Sequence, residues 1–173
     1  MSGGCLFRPA TGADADAIGV VHVQAWREAY AGIVPDAILT GLDPGQRAGT
    51  WRRLIERGAT VTLAERDGAV VGFSCGGRQR DASLAYSGEI YAVYVLRRAQ
   101  RLGIGRALMA AAAGELLARD HLSAMLWVLE ANAPARRFYQ ALGGREILCR
   151  EQQREGFAAV GVACAWDDLR RLV

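Results

Sequence analysis

Residues 90–109, IYAVYVLRRAQRLGIGRALM, run from an apolar, β-branched segment through two arginines and a Gly-x-Gly into a helix-like pattern. This passage constrains the fold more than any other stretch, because a strand must feed directly into a helix whose first turn is nearly bare backbone. A helix N-terminus presents unpaired N–H groups and a partial positive charge, which suits an anion. Gly103 and Gly105 would let that anion approach without a Cβ in the way. Arg97, Arg98, Arg101 and Arg106 add positive charge around them. The competing reading is a tight strand-to-helix turn with solvated arginines.

The segments on either side extend the pattern. TGADADAIGVVHVQAWREAYAG predicts a first helix, with Thr11 and Asp14 as a capping box, Ile18, Val21, Ala25, Trp26 and Ala29 at helical spacing, and Gly32 as its stop. VPDAIL predicts a short helix with Pro35 in its first turn. LDPGQRAGTWRRLIERG predicts a third, with Trp51, Leu54 and Ile55 facing inward and Gly58 ending it. The period then changes. TVTLAERDGAVVGFSCGG holds two strands around Asp67-Gly68, a strong hairpin signal. GEIYAVYVL and AMLWVLE are further strands, separated by a helix over 103–119. Asn132 caps a helix through APARRFYQAL with Pro134 in its first turn, and REILCREQQREGFAAVGVACAW closes as a hairpin turning near Glu155-Gly156. The order implies one α/β (α+β) domain over residues 1–173, with helices flanking a mixed, mostly antiparallel sheet of about six to seven strands.

Composition removes several function classes. All 21 basic residues are arginine, and the net charge of +3 is too small to argue for nucleic acid. Without lysine there is no Walker loop, and Leu108 stands where a dinucleotide fingerprint needs its third glycine. Cys5, Cys75, Cys149 and Cys164 form no C-x-x-C pair and, with His22 and His121, make no zinc pattern, so no metal is expected. No apolar span or signal peptide is evident, and the expected location is cytoplasmic, without a membrane partner.

A third loop pattern fits. Gln100-Arg101-Leu102-Gly103-Ile104-Gly105 matches Q/R-x-x-G-x-G/A and resembles the pyrophosphate loop of the GNAT superfamily of N-acetyltransferases. GEIYAVYVLRRAQRLGIGRALM resembles that family's strand–loop–helix motif. WVLEANAPARRFYQALGG resembles the next one, with Asn132 preceding a helix that carries Phe138-Tyr139. The order of elements is similar from the first helix to the final hairpin. One departure is Leu142-Gly143-Gly144, where the family often has Leu-Gly-Phe.

The resemblance implies acetyl-CoA as donor and a primary amine of a small molecule or peptide as acceptor, with direct attack and no metal. It implies that the backbone of Arg101, Leu102, Gly103, Ile104, Gly105 and Arg106, beside Gln100, holds the pyrophosphate. Val93, Tyr94 and Val95 would pair with the pantetheine arm, with Asn132 assisting. It implies Glu89 as general base, with Glu130 as the alternative, and Tyr139 as the acid that protonates the leaving thiolate. Trp26, Tyr30 and Tyr86 are candidates for the acceptor pocket. A non-catalytic acyl-CoA-binding module is the competing functional class, and a homodimer through the final hairpin is a further expectation.

Overall fold

The computed structural model describes residues 4–154 and 156–173. Its first element is β1 (Cys5–Pro9), which the sequence pattern did not announce. Five residues ending in proline carry little strand signal, but β1 lies at a sheet edge, where a proline without an N–H is tolerated. Thr11 and Asp14 form the expected capping box around a 3-10 turn, Gly12–Asp14, which leads into α1 (Ala15–Tyr30). Asp14 Oδ2 accepts from the Thr11 N–H at 2.7 Å, and Arg8 donates to both carboxylate oxygens of Asp14.

Pro35 is the N-cap of α2 (Asp36–Gly41) and so precedes the helix, whereas the sequence pattern had put it inside the first turn. Asp43 caps α3 (Pro44–Glu56) by accepting the Gln46 N–H at 2.6 Å. The helices α1 and α3 cross closely at Gly19, where a Cβ would lie 2.4 Å from the Pro44 carbonyl oxygen. Trp51 is buried and Ile55 packs at the core margin, but Leu54 is 40% exposed and does not face inward as expected. It lies one position outside the stripe that meets α1 and the sheet.

Asp67 and Gly68 both have positive φ, which gives the hairpin between β2 (Val61–Arg66) and β3 (Ala69–Arg78) a turn whose twist matches its strands. There follow β4 (Gly88–Val95), α4 (Ile104–Leu117), β5 (Ala124–Leu129), α5 (Ala133–Ala141), β6 (Arg145–Arg154) and β7 (Phe157–Trp166). The turn expected near Glu155-Gly156 involves Glu155, which lies outside the described residues. Among those residues the sheet has seven strands in the order β1-β2-β3-β4-β5-β7-β6, and only β4 and β5 pair in parallel.

Both faces of the sheet are covered. Ile18, Val21 and Ala25 of α1 and Trp51 of α3 pack on Val61, Leu63, Phe73 and Ala92. On the other face Met109, Ala112 and Leu116 of α4 pack on Ile90, Leu126, Val128 and Val162. No helix among the described residues is long and apolar enough to cross a membrane.

Candidate active site

The parallel strands β4 and β5 pair only at Gly88–Ala124 and Glu89–Met125, and then separate. From Ile90 onward, the β4 backbone groups that face β5 have no strand to meet. A bulge starts the divergence. Cys75 opposes Ala92 and Gly76 opposes Ile90, so Tyr91 has no partner on β3. The extra residue reverses the side-chain alternation: Ile90 joins the α4 face, whereas Ala92 joins the α1 face. The result is a cleft of about 930 Å³ that passes between the strands from the α4–α5 side to the end of α1.

At the α4 end, the cleft is walled by the glycine turn. Arg101 and Gly103 both have positive φ, at 63° and 80°. Gly103 is the N-cap of α4, no side chain caps the helix, and the first intrahelical bond is donated by Ala107. The N–H groups of Ile104, Gly105 and Arg106 therefore remain for a bound group. Gln100 Nε2 donates to the Val95 carbonyl at 3.0 Å, tying the turn to β4. Arg97 donates its backbone N–H to Glu28 Oε2 and its guanidinium to the Glu28 carbonyl, both at 2.6 Å, which joins α1 to the same turn. Arg97, Arg101, Arg106 and Arg137 line the cleft, and the last three enter no ion pair among the described residues. The Leu102 side chain is exposed and the Ile104 side chain is buried beneath the turn, so these two can contribute only backbone.

The α5 wall is organised by Asn132, which is buried and accepts the Ala135 N–H at 3.3 Å. Phe138 and Tyr139 follow on the helix and both line the cleft. Tyr139 meets Trp166 edge-on, with ring centroids 6.2 Å apart. Trp166 also accounts for Gly144. A Cβ there would lie 2.5 Å from Cys164 Sγ, 2.7 Å from the indole and 2.9 Å from the Tyr139 carbonyl oxygen, which together exclude any side chain at the position after Gly143. Trp166 Nε1 donates to the Leu142 carbonyl and holds the end of α5 in place.

At the α1 end, Tyr30 lines the cleft, but Trp26 does not. Trp26 is 2% exposed, and its Nε1 donates to the Tyr94 hydroxyl at 2.9 Å, so it supports a cleft residue from behind. Tyr86 lies away from the cleft: its hydroxyl donates to Asp167, and its ring packs near Met125. Glu89 is buried and also sits outside the lining. Arg80 donates to its carboxylate through Nε at 3.1 Å, the distal nitrogen at 2.6 Å and the backbone N–H at 3.0 Å. This contact holds the Arg80 guanidinium above its ordinary acidity range. Glu130 is exposed beyond β5, with Cys149 Sγ 3.8 Å from its carboxylate.

Tyr91, Trp127, Glu28 and Arg137 line the cleft without having been expected there. Tyr91 owes its place to the bulge, and Glu28 and Trp127 to pairing with distant residues; only the Arg136-Arg137 pair next to Phe138 hinted at added charge.

A family model described as "Acetyltransferase (GNAT) family" matches residues 24–143. The uncharacterized N-acetyltransferase YuaI of Bacillus subtilis is 36% identical over 155 residues, spanning 90% of this chain and 88% of that protein. The ribosomal-protein-alanine N-acetyltransferase structure from Brucella melitensis superposes with a TM-score of 0.72 at 25% identity, over 93% of this chain and 98% of that one. The structure of yncA from Salmonella typhimurium, solved with its cofactor acetyl-CoA, superposes at 0.70 with 20% identity, over 96% and 94%. With its open-stranded cleft, its bare helix start and these relatives, the chain belongs to the GNAT family of acetyltransferases.

Proposed function

We propose that this protein moves an acetyl group from acetyl-CoA to a primary amine by direct attack, without a covalent enzyme intermediate. The observation that supports this reading is the continuity of the cleft. It connects an uncapped helix start flanked by arginines, at one end, to a chamber by α1 where a second substrate could meet the donor. The residues present suit the donor. Arg101, Gly103, Ile104, Gly105 and Arg106 offer N–H groups to a pyrophosphate, and Arg137 adds charge from α5. The β4 edge over Val93, Tyr94 and Val95 has no strand partner on the β5 side and can hydrogen-bond an extended amide chain there, beside the Val95 carbonyl that Gln100 already engages, and Asn132 lines the same cleft.

When bound, acetyl-CoA supplies a thioester acyl group already activated toward an amine. A β4 N–H in the gap can stabilise negative charge on the acyl oxygen. The Tyr139 hydroxyl, at the α5 wall, gives a proton to the departing sulfur. An alkylammonium has a reference pKa of about 10.4, so the acceptor must lose a proton before it attacks. Glu89 takes that proton through water once Arg80 yields one of its oxygens. Glu130, exposed beyond β5 and outside the cleft lining, is the alternative base. A homodimer along the exposed β6 edge belongs to the same proposal.

Calorimetric titration with acetyl-CoA, with NAD and ATP as controls, tests the donor. Amine-dependent release of coenzyme A then separates an enzyme from a binding module, and intersecting double-reciprocal plots support direct attack over a ping-pong route. Selective binding with turnover is the expected result; equal binding of all three nucleotides would remove the reading.

A further inference from the structure

The acceptor end of the cleft has a chemistry of its own. The cleft lining includes the aromatic residues Tyr30, Tyr91, Tyr94 and Trp127, together with Ala25 and Ala29. The rings are held in place. Tyr91 lies over Gly77, where a Cβ would stand 2.7 Å from the phenol oxygen, and its hydroxyl donates to the Arg78 carbonyl at 2.5 Å. The Arg80 guanidinium covers the Tyr91 ring at 4.2 Å, and Arg150 covers Trp127 at 4.6 Å. His22 stacks on Tyr94 with centroids 5.0 Å apart, while Trp26 donates to the Tyr94 hydroxyl.

Carboxylates near this end are already engaged. Glu28, which also lines the cleft, sits toward the glycine turn, where it accepts from Gln24 at 2.9 Å and from the Arg97 N–H. Arg80 occupies both oxygens of Glu89. Asp81 accepts from Arg150 and from Ser83. A second ammonium on the acceptor would therefore meet rings already covered by guanidiniums, beside carboxylates, Glu89 and Asp81, that are each paired with one of those arginines. Burying such an unpaired charge is costly, whereas an apolar body gains by covering these rings.

We infer that the acceptor is a monoamine carried on an apolar or aromatic body, and that polyamines and lysine-rich peptides are rejected. The inference rests on the acetyltransferase reading and narrows it to one substrate class. Trp127, Tyr91 and Tyr94 are then the residues that choose the acceptor, with Arg80 and Arg150 holding two of the rings in position.

Initial rates of coenzyme A release with 2-phenylethylamine, spermidine and a lysine-containing tetrapeptide test it, at saturating acetyl-CoA. The expected kcat/KM for 2-phenylethylamine exceeds that for either cationic acceptor by at least about tenfold. Trp127→Ala is expected to raise KM for 2-phenylethylamine about tenfold while the acetyl-CoA Kd, read by calorimetry, stays unchanged. Equal rates, a preference for spermidine or the peptide, or an unmoved KM in Trp127→Ala would each overturn the inference. So would acetyl-CoA binding with no acetylation of 2-phenylethylamine. Failure to bind acetyl-CoA at all would instead strike the acetyltransferase reading itself.

Discussion

A methyl group on Gly105 would stand 3.1 Å from Phe138 Cζ, so the first turn of α4 and the face of α5 touch through a position that has no side chain. Gly105→Ala sets two effects against each other. Alanine favours the helix by up to about 1 kcal/mol. The added methyl must also displace a ring that lines the cleft, and overpacking of this kind costs about 1–3 kcal/mol. The melting temperature should therefore move little, while acetyl-CoA affinity falls about tenfold as the ring is pushed into the donor's path. Phe138→Leu in the Gly105→Ala background should restore much of the affinity, and a double-mutant cycle by calorimetry measures the coupling.

Gly103 presents the opposite situation. Its φ is +80°, and nothing beyond its own neighbours along the chain lies within 4 Å of where a Cβ would be. Space is open, so only conformation and charge matter. Asparagine tolerates the left-handed region, and Gly103→Asn should fold and lose modest donor affinity. Gly103→Asp places a negative charge where the pyrophosphate is proposed to sit, and its affinity should fall at least about a hundredfold. Similar losses for both variants would assign the effect to backbone strain, and unchanged affinity in both would move the phosphate elsewhere.

These two glycines also mark how far sequence reasoning reached. Local signals were readable where a few adjacent residues determine the geometry. Asp67-Gly68 specified its turn, Asn132 and Pro134 specified the start of α5, and Thr11 with Asp14 specified a capping box. The glycine turn was readable for the same reason. Features that depend on distant partners were not. β1 is a strand because β2 offers it an edge, and CLFRP has no alternation strong enough to announce that. Tyr91 and Trp127 line the cleft because a bulge turns one and the strand separation uncovers the other. The resemblance named Trp26 and Tyr30 together as pocket candidates, but nothing local could say that Tyr94 would stand between Trp26 and the cleft.

Asp14 links the capping box to acid stability. The Arg8 guanidinium holds its carboxyl well below the usual carboxylate range; burial opposes it, and the two Thr11 hydrogen bonds add smaller support. The folded pKa is depressed, so the stabilisation is fully present above the unfolded value of about 3.9 and is lost as pH falls below it toward the folded value. Asp14→Ala should cost about 1–2 kcal/mol at pH 7 through loss of the cap. Urea midpoints should differ most near neutrality and draw together below about pH 4. A constant gap across that range would show that the charge of Asp14 contributes little.

Tyr139 lies between two possible roles, proton donor and packing element against Trp166. Tyr139→Phe keeps the ring and removes only the hydroxyl. As the proposed acid, its loss should lower kcat by about a hundredfold and leave the acetyl-CoA Kd within about twofold. The loss should shrink when the leaving thiol is more acidic, which an acetyl thioester of an aryl thiol supplies as an alternative donor. Normal turnover with a lowered melting temperature would leave Tyr139 as a packing residue.

Glu89 and Arg80 separate the base from the anchor. The ion pair joins the residues after β3 to the start of β4, with Glu89 buried and Arg80 largely exposed. If Glu89 accepts the acceptor's proton, Glu89→Gln should lower kcat/KM most at low pH, where the fewest amines are already neutral, with a deficit that narrows toward the amine's own pKa. Arg80→Gln removes the guanidinium and frees Oε1, while the backbone N–H at position 80 still donates to Oε2, and should raise or preserve the rate at low pH while KM for the acceptor increases, because Arg80 also covers Tyr91. If Glu89 is an anchor, both variants lose melting temperature together and the rate deficit of Glu89→Gln is flat with pH. pH–rate profiles of the two variants beside the parent protein, from pH 6 to 10, decide between them. A flat deficit with intact stability would pass the proton to Glu130 or to solvent.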